Sequence, residues 1–204
     1  MTVKFIQFFD ILPGQTEEFR NFAHKNYIPA INDTGLLRMI GSWYVAAGEG
    51  PYCIFESVSD SVNNINKLLQ LDEFSKLNHL LHFLVTNYKT KILAPTGLVD
   101  TKIPEGRNFR FNHHYNIRYD RYEEYLRFVK EEHIPTIEKL GITVIGASYA
   151  AIGPGPHMVT EGACSSVKQI LEALGSEEYK SLISRMLAMV SDFGSKILVP
   201  TGLI

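Results

Sequence analysis

The imidazole is the side chain best suited to moving a proton near neutral pH. Two of the chain's seven histidines stand side by side in Phe109-Arg-Phe-Asn-His-His-Tyr-Asn-Ile117. Strand alternation puts His113 with Phe109, Phe111, Tyr115 and Ile117, and His114 with Arg110, Asn112, Asn116 and Arg118. His113 is therefore a titratable group on an apolar face. A carboxylate and a third imidazole follow in Tyr125-Leu-Arg-Phe-Val-Lys-Glu-Glu-His133. At helical spacing Tyr125, Phe128 and Val129 form an apolar stripe, Glu132 falls on the same side and His133 at its edge. A carboxylate there is costly unless paired or protonated. These three make a candidate catalytic set, with His113 as general acid or base, Glu132 tuning or sharing its proton, and His133 orienting the substrate. Phe109, Phe111, Tyr115, Phe128 and Tyr149 supply aromatic walls, the Tyr149 hydroxyl can orient a ligand, and Glu161 is a further contact. That chemistry suits a small, largely apolar organic molecule held between sheet and helices. The reaction classes are isomerase, lyase or cofactor-independent oxygenase.

Other arrangements are weaker. His79 and His82 stand i, i+3 on a helix, but no carboxylate or cysteine completes a metal site, so no metal is expected. Gly48-Glu-Gly-Pro51 and Gly153-Pro-Gly-Pro156 join two strands, whereas a phosphate cradle needs a strand entering a helix. Cys164, Ser165 and Ser166 lack the setting of a nucleophile. No nicotinamide, flavin or nucleotide motif is present, so no cofactor is expected, except that a haem on His133 or His113 stays open. The competing reading is non-catalytic: a haem or metabolite carrier, or a structural partner protein.

An internal duplication organises these residues. Lys91-Ile-Leu-Ala-Pro-Thr-Gly-Leu-Val99 returns as Lys196-Ile-Leu-Val-Pro-Thr-Gly-Leu-Ile204, and at that offset Gly41, Tyr44, Gly48, Pro51 and Glu56 meet Gly146, Tyr149, Gly153, Pro156 and Glu161. Upstream, one residue further apart, Glu17-Glu18-Phe19 meets Glu123-Glu124-Tyr125 and Ile28-Pro29 meets Ile134-Pro135. His113 then stands opposite Gln7, and Glu132 and His133 opposite Asn26 and Tyr27, so titratable groups gather in the second copy. Glu56 and Glu161, present in both, suit a pairing across a pseudo-twofold axis. Trp43, matched by Ser148, is placed to plug the space between two sheets.

Each copy reads strand, helix, strand, strand, helix, strand. In the first copy these are 4–12, a helix over 17–32 capped by Thr16, 36–47, 52–57, a helix over 61–86 broken near Leu71-Asp72, and 89–94. That order is the ferredoxin-like βαββαβ unit. The expected fold class is α+β, with two tandem units, 1–99 and 109–204, joined by a linker at 100–108. Their sheets close on each other into a single-chain α+β barrel of the dimeric type.

Each half resembles the NIPSNAP family of the dimeric α+β barrel superfamily. The residues that carry the likeness are Glu17 through Pro29, Gly35, Gly41, Glu56 and Asp72-Glu-Phe74, and in the second half Glu123 through Pro135, Gly141, Gly146, Glu161 and Glu177-Glu-Tyr179. The resemblance implies the fold. Its superfamily includes cofactor-independent monooxygenases, haem enzymes, isomerases, lyases and proteins without known activity, and no chemistry carries over residue by residue.

Composition excludes several partners. The 204 residues are 45% hydrophobic and 21% charged with net charge −2, and Lys and Arg are scattered along the sequence, which disfavours nucleic acid. No apolar run of membrane-spanning length occurs. Cys53 and Cys164 lie far apart, and the N-terminus lacks a secretory pattern, so a reducing, cytoplasmic setting is expected. Apolar surface left outside the barrel leaves room for a homodimer.

Overall fold

The first strand shows how both faces of the sheet come to be buried. In β1 (Val3–Ile11), Phe5 and Phe9 pack under helices, while Ile6 and Phe8 join Trp43, Val45, Ile54, Leu93 and Leu198 in a separate cluster on the other face. Aromatic and β-branched residues at alternate positions satisfy a strand covered on both sides. The computed structural model describes residues 2–99 and 109–204, and the expected linker at 100–108 lies outside the described residues.

After β1 come α1 (Thr16–Phe22), a π-helical turn (Ala23–Tyr27), α2 (Ile28–Asp33), β2 (Arg38–Ala47), β3 (Cys53–Ser59), α3 (Val62–Leu69), α4 (Asp72–His82) and β4 (Val85–Pro95). The second half runs in the same order. It comprises β5 (Phe109–Ile117), α5 (Tyr122–Phe128), a π-helical turn (Val129–His133), α6 (Ile134–Lys139), β6 (Thr143–Ile152), β7 (Met158–Cys164), α7 (Val167–Gly175), α8 (Glu177–Leu187) and β8 (Val190–Pro200). The eight strands are antiparallel and close in the order β1-β3-β2-β8-β5-β7-β6-β4. The seams between halves are β2 on β8, where Tyr44 meets Val199, and β4 on β6, where Ala94 meets Tyr149. Closure removes every sheet edge.

Several boundaries differ from the sequence reading. Thr16 lies inside α1, and the cap position is Gln15, without a side-chain hydrogen bond. Ser61 and Ser166 do cap α3 and α7, accepting from the backbone N–H of Asn64 and Gln169. The helix expected to reach residue 86 stops at His82, and β4 begins at Val85, with Leu84 buried in the turn between them and Val85 buried as the first strand residue. The β1–β4 pairing shifts register between Phe8 and Asp10, close to Asn87, whose φ is 54°.

Both helix layers pack against the outside of the barrel, each with its own apolar core. Trp43 lies in the barrel interior as the sequence suggested, folded across β2 so that its indole occupies the place where a side chain at Gly41 would stand. No helix among the described residues is long and apolar enough to cross a membrane.

Candidate functional site

The helix–sheet layer of the second half brings His113 and His133 together. Their rings are 5.6 Å apart, and they are 2% and 1% exposed. β5 aims His113 toward the helices, and the Tyr179 hydroxyl lies 2.9 Å from its Nε2. His133, at the end of the π-helical turn, has no hydrogen-bond partner on either ring nitrogen. Burial holds His113 well below its ordinary pKa, with His133 and His114 adding to the effect, and burial lowers His133 to about 4. Both are therefore neutral at pH 7. In the equivalent layer of the first half Gln7 Nε2 donates to the hydroxyls of Tyr27 and Tyr88, each at 2.7 Å, while Gln7 Oε1 is buried without a partner.

The other expected members of the set do not assemble there. Glu132 lies at the surface, its side chain 40% exposed, in a bidentate pair with Arg185, and it does not face His113. The cause is the π-helical turn. The extra residue in that turn advances the helical phase, so His133 takes the buried position that regular spacing assigned to Glu132. Tyr115 is fully buried, and its hydroxyl is 2.8 Å from both the Tyr125 hydroxyl and Thr160 Oγ1. Phe111 and Phe128 are core residues, the latter covered by the Arg185 guanidinium. Tyr149 sits on the β4–β6 seam, 42% exposed, away from this layer. Phe111, Phe128, Tyr179 and Phe193 wall the two imidazoles closely, leaving no slot of a macrocycle's width, so these residues do not fit a haem. Among the described residues no cluster of three or more His, Cys, Asp or Glu could hold a metal ion.

The space lies instead inside the barrel. A cavity of about 260 Å³ is lined by inward residues of β1 to β5, β7 and β8, and by the β2–β3 and β6–β7 hairpins. Its floor is buried and charged. Lys4 Nζ stands 2.7 Å from Glu56 Oε1 and 2.6 Å from Glu161 Oε2, so the matched carboxylates do meet across the pseudo-twofold axis, with a lysine between them. Arg110 lies over the Trp43 ring at 5.3 Å and interacts electrostatically with both carboxylates. Burial alone would lower Lys4, but Glu161 and Glu56 outweigh it and hold the ammonium firmly protonated. Burial raises Glu56, and Lys4 opposes that shift.

The walls are of two kinds. The first half contributes Ile6, Phe8 and Trp43; the second contributes Asn112 and His114 from β5. Asn112 Oδ1 is buried without a partner. His114 is lowered to about 4 by burial and by Lys196 and Lys91. Toward the hairpins stand Lys89, Lys91 and Lys196 with Glu49. Lys91 and Lys196 occupy equivalent places in the two halves, and each passes beneath a hairpin whose glycine, Gly153 or Gly48, adopts φ of 117° or 111°. Burial lowers the pKa of both, and their positive neighbours Lys196 and Lys89 lower Lys91 further. Such a site offers an apolar slot, unsatisfied polar groups and an excess of cationic side chains at its entrance.

Sequence reasoning missed this site because it sought chemistry on the apolar face of β5, with His113, and gave no role to Arg110, Asn112 and His114 on the other face. The available signal was the first copy, where Ile6 and Phe8 stand opposite Asn112 and His114 and mark that face as covered.

The closed strand order and external helices define an α+β barrel of the dimeric type, with both halves in one chain. Solved structures of that architecture match nearly end to end. A candidate monooxygenase from Lactobacillus acidophilus NCFM is 17% identical with a TM-score of 0.65, over 97% of this chain and 93% of that one. One from Fusobacterium nucleatum subsp. nucleatum is 10% identical with a TM-score of 0.69, over 98% and 92%. A chlorite dismutase variant from Candidatus Nitrospira defluvii is 9% identical with a TM-score of 0.69, over 99% and 92%. No family model and no curated protein matches the chain.

Proposed function

We propose that the protein is a small-molecule enzyme that binds an organic anion with an apolar body inside the barrel. It acts on that molecule by general acid/base chemistry without a nucleotide cofactor, as an isomerase, lyase or cofactor-independent monooxygenase. The carrying observation is the interior cavity, whose apolar wall of Ile6, Phe8 and Trp43 faces Asn112 and His114 beneath an entrance of lysines. The anionic group sits against Lys89 and Lys196, the apolar body against Trp43 and Phe8, and Asn112 accepts a hydrogen bond from the ligand. His114, neutral at pH 7, is placed to accept a proton. The fold neighbours described as monooxygenases support this class of reaction. Descent from two NIPSNAP-like ferredoxin-like units, 1–99 and 109–204, is part of the same proposal.

Trp43 is the chain's one tryptophan and lines the cavity, so its fluorescence reads occupancy directly. Titration with benzoate is expected to change the emission saturably and in a salt-sensitive way, whereas benzamide has little effect. Equal responses to both, or no saturable response to any aromatic carboxylate, would refute the reading.

A second reading is favoured by one observation, the two unpartnered ring nitrogens of buried His133. It places acid/base catalysis between sheet and helices, at His113 and His133, with Phe111, Tyr115 and Phe128 as walls. Once a substrate is found by metabolite screening, His113→Ala abolishes turnover on this second reading, and His114→Ala abolishes it on the first.

A further inference from the structure

The barrel holds two buried lysines in opposite electrostatic settings. Lys4 is clamped between Glu56 and Glu161 and stays an ammonium. Lys91 is 9% exposed, lines the cavity with no carboxylate among the described residues paired with its amine, and donates a hydrogen bond to the Pro156 carbonyl at 3.0 Å. Lys89 and Lys196 line the same cavity and supply like charge. Desolvation and neighbouring cations are the two conditions that leave a lysine amine uncharged and nucleophilic at neutral pH. The depressed pKa of Lys91 agrees with that geometry.

We infer that Lys91 forms a Schiff base with a carbonyl carbon of the ligand, so that the substrate class is an apolar aldehyde or ketone that also carries an anionic group. This rests on the cavity reading above. The neutral amine of Lys91 attacks the carbonyl carbon, a C–N bond forms, and the carbonyl π pair moves to oxygen. That oxygen takes a proton from the Lys196 ammonium, giving a carbinolamine, and the nitrogen gives up its extra proton to the now neutral Lys196. Loss of the hydroxyl as water, with a proton again from Lys196, breaks the C–O bond and leaves the iminium. The Pro156 carbonyl fixes the direction of the amine by accepting its N–H. The lysines at the entrance hold the anionic group, which is how the site selects one carbonyl compound from neutral ones. An iminium withdraws electrons from the adjacent carbon, so His114 across the cavity can remove a proton there, which supplies the acid/base step of an isomerase or lyase.

The test uses the full chain with 4-carboxybenzaldehyde and cyanoborohydride, followed by intact mass and peptide mapping, with benzoate as the competitor that lacks a carbonyl. The expected result is a single label on Lys91, formed faster than at any other lysine, suppressed by benzoate, and lost in Lys91→Arg. Circular dichroism confirms that this variant is folded, and benzoate protection of the unaltered chain gives the same answer without any variant. Saturable Trp43 quenching with labels spread over surface lysines, or placed on Lys196, would overturn the Schiff-base inference while leaving the cavity reading intact. Absence of saturable quenching by both probe and benzoate would overturn the cavity reading and this inference with it.

Discussion

Acid should weaken this fold through His133, and the size of the effect follows from its surroundings. The imidazole is 1% exposed with neither ring nitrogen paired, and burial lowers its pKa to about 4. In the unfolded chain the same group titrates near 6.5. A base whose folded pKa is depressed contributes its full stabilisation above the unfolded value, and loses it progressively as pH falls toward the folded value. Relative to roughly pH 7.5, linkage from these two values costs about 2 kcal/mol at about pH 5, and about 3 kcal/mol once the pH is below 4. Carboxylates and His114 also titrate in this window, so the informative quantity is a difference between proteins. His133→Tyr installs the residue that stands at the equivalent place in the first half, where Tyr27 is buried in the same layer. Urea denaturation of both proteins at the two pH values should show the unaltered chain losing about 2 kcal/mol more than the variant. The buried, unpartnered state of His133 would be refuted by parallel losses in the two proteins.

The charged floor of the cavity gives a larger effect. Lys4→Met leaves Glu56 and Glu161 facing each other in the barrel and should cost about 3–5 kcal/mol in chemical denaturation. A loss well under 1 kcal/mol would show the lysine to be dispensable. Gly41→Ala places a methyl group where the Trp43 indole lies, so a shifted emission maximum and a loss of about 1–3 kcal/mol are expected. Unchanged emission would place the indole elsewhere. Glu132→Ala removes only an exposed partner of Arg185 and should leave the melting temperature and any turnover nearly unchanged, whereas strong loss of turnover would return Glu132 to the chemistry.

The alternation of β1 and β5 was legible because period-2 burial leaves a direct trace in residue type, and it correctly put His113 under the helices. That Glu56 and Glu161 come close was legible because both halves carry a glutamate at one strand position, but the Lys4 ammonium to which each of them pairs was not. The place of Glu132 was not, since regular helical spacing cannot register a π-helical turn, and one inserted residue exchanges the surface position for the buried one. The entrance lysines were hidden for a different reason. Lys89 and Lys91 are a long way from Lys196 in sequence, and only barrel closure through β2–β8 and β4–β6 gathers charges that look scattered along the chain.

Comparing the halves indicates where new chemistry was tolerated. At the strand ends, Asn87 donates to Asp10 in the first half and Asn116 donates to Asp192 in the second, so amide and carboxylate have exchanged places while the bond survives. Tyr52 and His157 each bond back to that same pair through their backbone N–H. Changes of this kind maintain the scaffold. In the cavity wall the exchanges are uncompensated: Ile6 and Phe8 face Asn112 and His114, and Asn112 is left with an acceptor that no protein group satisfies. A buried unsatisfied amide costs on the order of 1–3 kcal/mol. Gln7 and His133 also carry unpartnered buried atoms, but those are packed under helices, whereas the Asn112 acceptor lines an open cavity where, on the proposed function, a ligand completes the bond. The lysines that the two halves contribute to the same cavity are what favours an anion as that ligand in the proposed function.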